Sequence, residues 1–209
     1  AGGTTTITNA AREPEICDLA DFLNCCGAKI SGAGDSTIVI EGVKSLHGCE
    51  HEVIPDRIAA ATYLAATAAT GGSIILNHVV PEHLAPVLPL FEESGCRFAI
   101  HEKEIYMSAP SRLGRIKNVR TMPYPGFPTD AQAPMMAMAA VANGTSIFVE
   151  NIFESRYKHV GELLRLGANI KVEGRVAVVE GVGRLSGAPV EAADLRGGAA
   201  LVVAGLAAQ

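Results

Sequence analysis

An internal repeat is the feature that most constrains how this 209-residue chain can fold. Three segments open with a glycine and a short β-rich run, and each reaches a second glycine 24, 23 and 23 residues later. The glycine pairs are Gly3 and Gly27, Gly72 and Gly95, and Gly144 and Gly167. The copies begin 69 and 72 residues apart, which indicates one supersecondary unit used several times. The sequence therefore predicts a tandem array of α/β units of about 70 residues that stops before its last copy is complete.

Each copy opens with a predicted strand that is followed by an amphipathic helix. The strands are expected over 4–8, 73–76 and 145–149, which are rich in β-branched and apolar residues. The apolar residues at helical spacing in the first and third copies are Ile16, Leu19, Phe22 and Leu23, and Tyr157, Val160, Leu163 and Leu164. The glycine that closes each segment suits the positive φ needed just after a helix. Pro86 and Pro89 predict a kinked or shortened helix in the middle copy.

Two further strands are predicted to follow this helix as a hairpin. In the first copy their connection contains Gly32-Ala33-Gly34-Asp35. A dinucleotide-binding glycine loop follows a strand and opens a helix, whereas this one lies between two strands, so a turn is predicted. The paired runs are 29–30 with 37–40 in the first copy, and 170–172 with 176–179 in the third.

A second type of helix is expected further along each copy. Residues 58–69, 131–142 and 199–208 are rich in alanine and apolar nearly all round, which is typical of helices buried on every side. The amphipathic helices and the strands would enclose them. The predicted fold class is therefore α/β (α+β), with helices inside and sheet outside.

Charged residues gather near the starts of these buried helices. Asp56, Asp130 and Asp194 stand at or just before them, and N-capping is the favoured interpretation of all three. The run before Asp130 is rich in proline, glycine and aromatic residues, which predicts a rigid loop of the kind that often carries a site. Arg156, expected to open an amphipathic helix, and Arg196 are expected to form one polar cluster with Asp130 and Asp194. Paired arginines suit a phosphate or carboxylate ligand, and inert surface salt bridges are the alternative.

The composition argues against some classes of function. A formal net charge of -5 disfavours a nucleic-acid-binding surface, which needs clustered Lys and Arg, although a few arginines can still bind an anion locally. No apolar run reaches the ~18 residues of a membrane span. The five cysteines are odd in number and lack zinc-ribbon or thioredoxin spacing, which favours a reduced cytoplasmic compartment.

Two segments with cysteine leave alternatives open. His47, Cys49 and His51 alternate, so in a strand they would share one face and could bind zinc, but a connector without metal is favoured. Cys25 and Cys26 end the first amphipathic helix. Cys26 is expected to pack as a small hydrophobic residue, with a redox role as the alternative.

Five segments together resemble the UDP-N-acetylglucosamine 1-carboxyvinyltransferase family of enolpyruvyl transferases. In chain order they are Asn9 to Ile16, Ile54 to Ile58, Phe127 to Ala133, Ile152 to Val160 and Ala193 to Arg196. The related 3-phosphoshikimate enolpyruvyl transferases share the repeat but not this set of motifs. The resemblance implies an inside-out α/β barrel of repeated βαβαββ-type units, the enolpyruvyl transferase fold, incomplete in this chain. It implies that residues 1–54 are the last unit of a lobe on the UDP-sugar side and that 55–209 are most of a second lobe, which bears the catalytic base.

The resemblance also implies a reaction. The enolpyruvyl group of phosphoenolpyruvate would pass to the 3-hydroxyl of UDP-N-acetylglucosamine with release of phosphate, in the first committed step of peptidoglycan precursor synthesis. Asp130 would hold that hydroxyl and act as the base. The other substrate-binding residues that it implies are Thr129, Ile152, Phe153, Arg156, Asp194 and Arg196, the last three on the phosphoenolpyruvate side. No metal or other cofactor is expected. The composition above predicts neither a nucleic-acid nor a membrane partner, and it favours a cytoplasmic location.

The same resemblance predicts that the chain is a fragment. The family's N-terminal Lys-Asn pair and the mobile loop with its reactive cysteine would precede residue 1, and the last phosphate-binding arginine would follow Gln209. None of the five cysteines here lies in that loop motif. The missing remainder of the same enzyme is therefore an expected partner, and the chain alone is expected to be inactive. Transfer to 3-phosphoshikimate and a non-catalytic binding lobe are the alternatives.

Overall fold

Strands and helices alternate along residues 2–209, which a computed structural model describes. These residues form two compact units. The first runs up to Pro55 and includes Pro123–Pro125, and the second comprises Asp56–Met122 and Gly126–Gln209. Within the described residues, no helix is both long and apolar enough to cross a membrane.

The first unit contains the opening strand, the amphipathic helix and the hairpin of the first predicted copy, whereas the buried helix of that copy lies in the second unit. The elements of the first unit are strand β1 (Thr4–Thr8), helix α1 (Pro14–Cys25), strand β2 (Lys29–Ser31) and strand β3 (Thr37–Glu41). Strand β3 lies between β1 and β2 and is antiparallel to both. Pro14 suits the first turn of α1, where a backbone N–H would have no partner in the helix, and Gly27 follows the helix at φ 92°. A Cβ at Gly32 would lie 2.1 Å from the carbonyl oxygen of Thr37, so the predicted hairpin turn requires glycine there.

The second unit contains two sheets and the remaining helices. Its elements are α2 (Arg57–Thr70), β4 (Ser73–Asn77), α3 (Pro81–Leu84), α4 (Leu88–Glu93), β5 (Arg97–His101), β6 (Glu104–Ser108), β7 (Asn118–Arg120), α5 (Thr129–Ala139), β8 (Thr145–Val149), α6 (Val160–Arg165), β9 (Asn169–Glu173), β10 (Val176–Glu180) and α7 (Leu195–Leu206). One sheet has the order β4-β6-β5 and is antiparallel. The other has the order β7-β8-β10-β9, in which only β7 and β8 are parallel. Alternate residues of the central strands are buried, so each sheet turns an apolar face to the core.

Helix α5 forms the centre of the second unit. Every residue from Ala131 to Ala139 is buried, and α2 and α7 pack against α5 and against each other. Met135 and Met136 are fully buried, and each contributes roughly 1.5–3 kcal/mol by leaving water. The prediction of a helix buried on every side is confirmed for α5. It is wrong for α2 and α7, each of which keeps an exposed face, at Tyr63 (61% exposed) and Val202 (64%).

The amphipathic helices of the second unit are short. In the middle copy two helices, α3 and α4, replace one, as the prolines predict, and Pro89 lies in the first turn of α4. In the third copy α6 begins only at Val160, so the prediction that Arg156 opens this helix is wrong. The physical reason lies in Tyr157, whose hydroxyl is 3.2 Å from the carbonyl oxygen of Phe148 and 3.1 Å from that of Arg175. These bonds hold the segment before α6 against the sheet in an irregular conformation.

Candidate active site

Two of the three predicted caps are observed. Asp56 Oδ1 accepts hydrogen bonds from the backbone N–H groups of Ile58 (2.8 Å) and Ala59 (3.0 Å) at the start of α2. Asp194 Oδ1 accepts one from the N–H of Gly197 (2.7 Å) at the start of α7. Both residues therefore satisfy helix N–H groups that would otherwise lack partners.

Asp130 lies in the first turn of α5, and the prediction that it caps a helix is wrong. The helix begins at Thr129, and the N-cap residue is Pro128, which provides no side-chain cap. The Asp130 carboxylate instead binds two guanidinium groups. Arg156 Nη2 donates to Oδ1, while Arg196 Nε lies 3.2 Å from Oδ1 and its Nη2 donates to Oδ2 at 3.3 Å. The structure thus brings three of the four residues of the expected polar cluster together.

This cluster has an excess of positive charge, because two arginines share one carboxylate. The side chains of Arg156, Arg196 and Asp130 are 20%, 28% and 38% exposed, so the cluster is accessible at its surface. The guanidinium carbon of Arg156 also lies 5.0 Å from the ring centroid of Phe153. Arg156 Nε is buried and has no hydrogen-bond partner among residues 2–209, and a buried donor without a partner is uncommon in folded proteins. The arrangement suits an anionic oxygen ligand.

Asp194 takes no part in these ion pairs, and its Oδ1 caps α7. His159 packs beside that cap, since a Cβ at Gly197 would lie 3.1 Å from the Cβ of His159. The imidazole is 2% exposed, and its Nε2 has no hydrogen-bond partner in the described part of the chain. Burial lowers the pKa of His159 to about 4, with the charge of Asp194 opposing and that of Arg156 adding to the effect. His159 is therefore neutral at pH 7.

Glu150, which the sequence analysis missed, contacts the remaining predicted residues. Its Oε1 accepts hydrogen bonds from the backbone N–H groups of Ile152 (2.7 Å) and Phe153 (3.0 Å), and its Oε2 accepts one from the Thr129 hydroxyl (2.8 Å). A backbone contact between Ile152 and a ligand would therefore have to use the carbonyl oxygen. One signal could have identified Glu150: the alternation of inward residues along β8 continues to it and places a carboxylate on the buried face.

In the first unit, the side chains of the proposed zinc-binding segment have separate partners. His47, Cys49 and His51 lie outside any strand, so the predicted shared face is absent. His51 Nε2 lies 2.9 Å from a carboxylate oxygen of Asp18, and Cys49 Sγ lies 3.4 Å from Cys26 Sγ. Across residues 2–209, no three His, Cys, Asp or Glu side chains are grouped so as to hold a metal ion. Cys26 is buried, as expected for a small hydrophobic residue.

Curated relatives match this chain from end to end. It is 52% identical over 209 residues to UDP-N-acetylglucosamine 1-carboxyvinyltransferase 1 of Caldanaerobacter subterraneus subsp. tengcongensis, a match that covers 100% of the chain and 50% of the relative. It is also 52% identical over 208 residues to UDP-N-acetylglucosamine 1-carboxyvinyltransferase of Prochlorococcus marinus, with coverage of 100% and 48%. The chain therefore spans about half the length of the curated relatives it matches.

Solved structures share the fold. The enolpyruvyl transferase NikO from Streptomyces tendae superposes with a TM-score of 0.83 at 27% sequence identity, covering 100% of this chain and 50% of that one. An EPSP synthase from Acinetobacter baumannii gives a TM-score of 0.67 at 21% identity, with coverage of 100% and 51%, and shows the fold alone. The predicted enolpyruvyl transferase fold is confirmed, as a partial domain of that fold.

A family model gives the same result for the sequence. Its description is EPSP synthase (3-phosphoshikimate 1-carboxyvinyltransferase), and it matches residues 1–209. The match thus includes the segments that carry Asp130, Arg156 and Arg196, and it agrees with the shared fold and with the identity to carboxyvinyltransferases. The chain belongs to the family described as EPSP synthase (3-phosphoshikimate 1-carboxyvinyltransferase).

Proposed function

We propose that this chain is part of an enzyme that transfers the enolpyruvyl group of phosphoenolpyruvate to the 3-hydroxyl of UDP-N-acetylglucosamine and releases phosphate. The observation that carries the proposal is the Asp130 carboxylate held between Arg156 and Arg196. Curated relatives 52% identical to the chain support the choice of acceptor. The reaction would be the first committed step of peptidoglycan precursor synthesis in the cytoplasm of a bacterial cell. It would thereby serve cell-wall biogenesis, cell shape and cell division.

Asp130 acts in this proposal as the base for the sugar hydroxyl. The transfer needs a group that takes the hydroxyl proton as the oxygen attacks the enolpyruvyl carbon. Both oxygens of Asp130 are engaged by arginines, so an anionic substrate that binds Arg156 and Arg196 competes for those guanidinium groups. Binding of phosphoenolpyruvate thus frees a carboxylate oxygen for the hydroxyl.

The other residues of the proposed site bind or support the substrates. Arg156 and Arg196 hold the phosphate and carboxylate of phosphoenolpyruvate, because planar guanidinium groups match these anions and stabilise charge that develops in the transition state. Ile152 and Phe153 contact the sugar nucleotide, and both side chains are exposed. Asp194 acts through the start of α7, which it caps. Thr129 acts through its hydrogen bond to Glu150.

Further groups of the reaction would come from outside this chain. We propose that residues 1–54 are the last unit of the lobe on the UDP-sugar side and that 55–209 are most of the second lobe. The remainder of the enzyme, including the residue that donates a proton to the methylene carbon, is the proposed partner. Neither nucleic acid nor a membrane is a partner in this proposal.

Transfer to 3-phosphoshikimate is the second candidate function. The observation in its favour is the description of the family model that matches residues 1–209. The two candidates share the donor and the released phosphate, so only the acceptor distinguishes them.

Phosphate release by a full-length enzyme that carries this chain tests the proposal. We expect turnover with phosphoenolpyruvate and UDP-N-acetylglucosamine, and none with 3-phosphoshikimate as the acceptor. Asp130→Ala should lower turnover by at least about 10²-fold, because the base is lost. The matched control Asp56→Ala should cost about 1 kcal/mol of stability through its lost cap and leave turnover within about twofold.

The other outcomes each contradict part of the proposal. Turnover with 3-phosphoshikimate alone would establish the second candidate, and no turnover with either acceptor would support a non-catalytic binding lobe. Near-wild-type turnover by Asp130→Ala would show that this carboxylate is structural.

A further inference from the structure

The Glu150 side chain joins three segments of the second unit. The segments are the residue that follows β7, the first turns of α5, and the turn that follows β8. The five donors are the Thr121 hydroxyl (2.9 Å) and the N–H groups of Ile152 (2.7 Å) and Phe153 (3.0 Å) on Oε1, and the Thr129 hydroxyl (2.8 Å) and Gln132 Nε2 (3.0 Å) on Oε2. Such a density of donors on one carboxyl group indicates a specific structural task.

Glu150 is buried and therefore acts through its neighbours. It is 1% exposed, and a buried carboxylate is costly unless hydrogen bonds such as these five offset the loss of water. The charge of Glu150 also affects the neighbouring Tyr157. Burial, and then the charge of Glu150, raise the pKa of Tyr157 to about 12. A group placed in this way cannot reach a ligand at the surface.

We infer that Glu150 is a positioning residue, which holds the Ile152–Phe153 turn in register with Asp130 at the start of α5. The inference rests on the proposed function, since Ile152, Phe153 and Asp130 are its sugar-nucleotide contacts. One oxygen of Glu150 fixes the turn and the other fixes the helix start, so one rigid group sets the distance between them. The side chains of Ile152 and Phe153 remain 39% and 48% exposed, and are free to contact the ligand.

The variant Glu150→Leu tests whether Glu150 positions the site or only stabilises the fold. In a full-length enzyme, Glu150→Leu removes both acceptors, so the turn and the helix start lose their common anchor. We expect KM for UDP-N-acetylglucosamine to rise about tenfold and kcat to fall about tenfold, which corresponds to the loss of strong hydrogen bonds. KM for phosphoenolpyruvate should change less than about threefold, because Arg156 and Arg196 have no hydrogen bond to Glu150 among those described.

Two variants serve as controls. Glu150→Gln keeps one oxygen that can accept from both N–H groups, and its new amide N–H₂ faces Gln132, whose buried Oε1 has no partner within residues 2–209 and can turn to accept. KM for the sugar nucleotide should therefore stay within about threefold of wild type. Ser146→Ala removes another buried hydrogen bond of β8, the one that Ser146 Oγ accepts from the N–H of Ile116 at 3.1 Å. It should lower Tm and leave both KM values unchanged.

Hydrogen exchange tests the inference without any turnover. The amides of Ile152 and Phe153 should exchange slowly in the wild type and at least about tenfold faster in Glu150→Leu, because they lose their acceptor. The amides of β8 should keep their rates if the fold is intact. Should Glu150→Leu fail to fold, Glu150→Asp replaces it in every measurement, since the shorter side chain keeps the charge but cannot reach both segments.

Unchanged exchange at both amides, or an unchanged KM for UDP-N-acetylglucosamine in an active enzyme, overturns the inference. If exchange changes as expected while the wild type transfers nothing to UDP-N-acetylglucosamine, the proposed function fails and the structural anchor at Glu150 stands. The two failures are thereby distinguished.

Discussion

At the scale of single residues, a shift of two positions along a helix start separates a cap from a site residue. Asp56 and Asp194 precede their helices with extended backbone conformations and bond the first N–H groups. Asp130 is the second residue of α5, so its carboxylate is available to Arg156 and Arg196. The sequence alone could not separate these roles, because helix starts cannot be placed to a single residue from pattern. The repeat does predict the two arginines as members of a polar cluster, because equivalent ends of successive repeats can converge in space.

His159 makes stability depend on pH. Its pKa is about 4 in the folded chain against 6.5 without perturbation, so the unfolded chain binds more protons between these values. The contribution of neutral His159 to the free energy of unfolding is therefore fully present above about pH 6.5. It is lost as the pH falls towards 4, which lowers the free energy of unfolding by on the order of 3 kcal/mol. In His159→Gln this part of the pH dependence should vanish, whereas the exposed His101→Gln should keep it. Urea unfolding at pH 7.5, 6 and 5 measures the difference, and parallel curves for wild type and His159→Gln would exclude His159 as the source.

At the scale of secondary-structure elements, local patterns predicted most of the fold. Strands β1, β4 and β8, the two predicted hairpins β2–β3 and β9–β10, and the divided middle helix follow from β-branched runs, turn glycines and prolines. The late start of α6 did not, because it depends on the bonds of the Tyr157 hydroxyl to the carbonyl oxygens of Phe148 in β8 and of Arg175 in the turn between β9 and β10. The role of Glu150 was missed for a related reason: three of its five donors, on Thr121, Thr129 and Gln132, come from segments that only tertiary structure brings to it.

Gly181, which follows β10, packs closely against the C-terminal end of α5, so adding a methyl group at this position should lower the free energy of unfolding strongly. A Cβ at Gly181 would lie 1.7 Å from the carbonyl oxygen of Ala142 and 3.2 Å from that of Ala139. Backbone must move to relieve this clash, so Gly181→Ala should destabilise the protein by about 3 kcal/mol or more. A Cβ at Gly183 meets no atom within 4 Å, and Gly183→Ala should change stability by less than about 0.5 kcal/mol. Denaturant midpoints measure both, and equal midpoints would refute the assigned contact.

At the scale of the whole molecule, local sequence specifies the fold of each repeat, whereas the proposed site needs residues from several repeats. Each copy of the repeat builds strands and helices from local pattern, so half the length of the curated relatives still specifies recognisable units. A site that combines a base, a proton donor and several anion-binding groups needs residues from many copies at once. Asp130, Arg156 and Arg196 provide the base and part of the anion binding in our proposal.

The 209-residue chain alone is therefore expected not to catalyse the transfer. The proposed proton donor to the methylene carbon lies outside it, and general acid–base groups each contribute roughly 10²–10⁴-fold, so their absence leaves phosphate release at background. The measurement is phosphate release from phosphoenolpyruvate and UDP-N-acetylglucosamine by the isolated chain and by a full-length enzyme that contains it, at equal concentration. Turnover is expected in the full-length enzyme alone and should be lost on Asp130→Ala. Robust turnover by the isolated chain would show that its own residues complete the reaction, and the search for the proton donor would then turn to groups near Asp130.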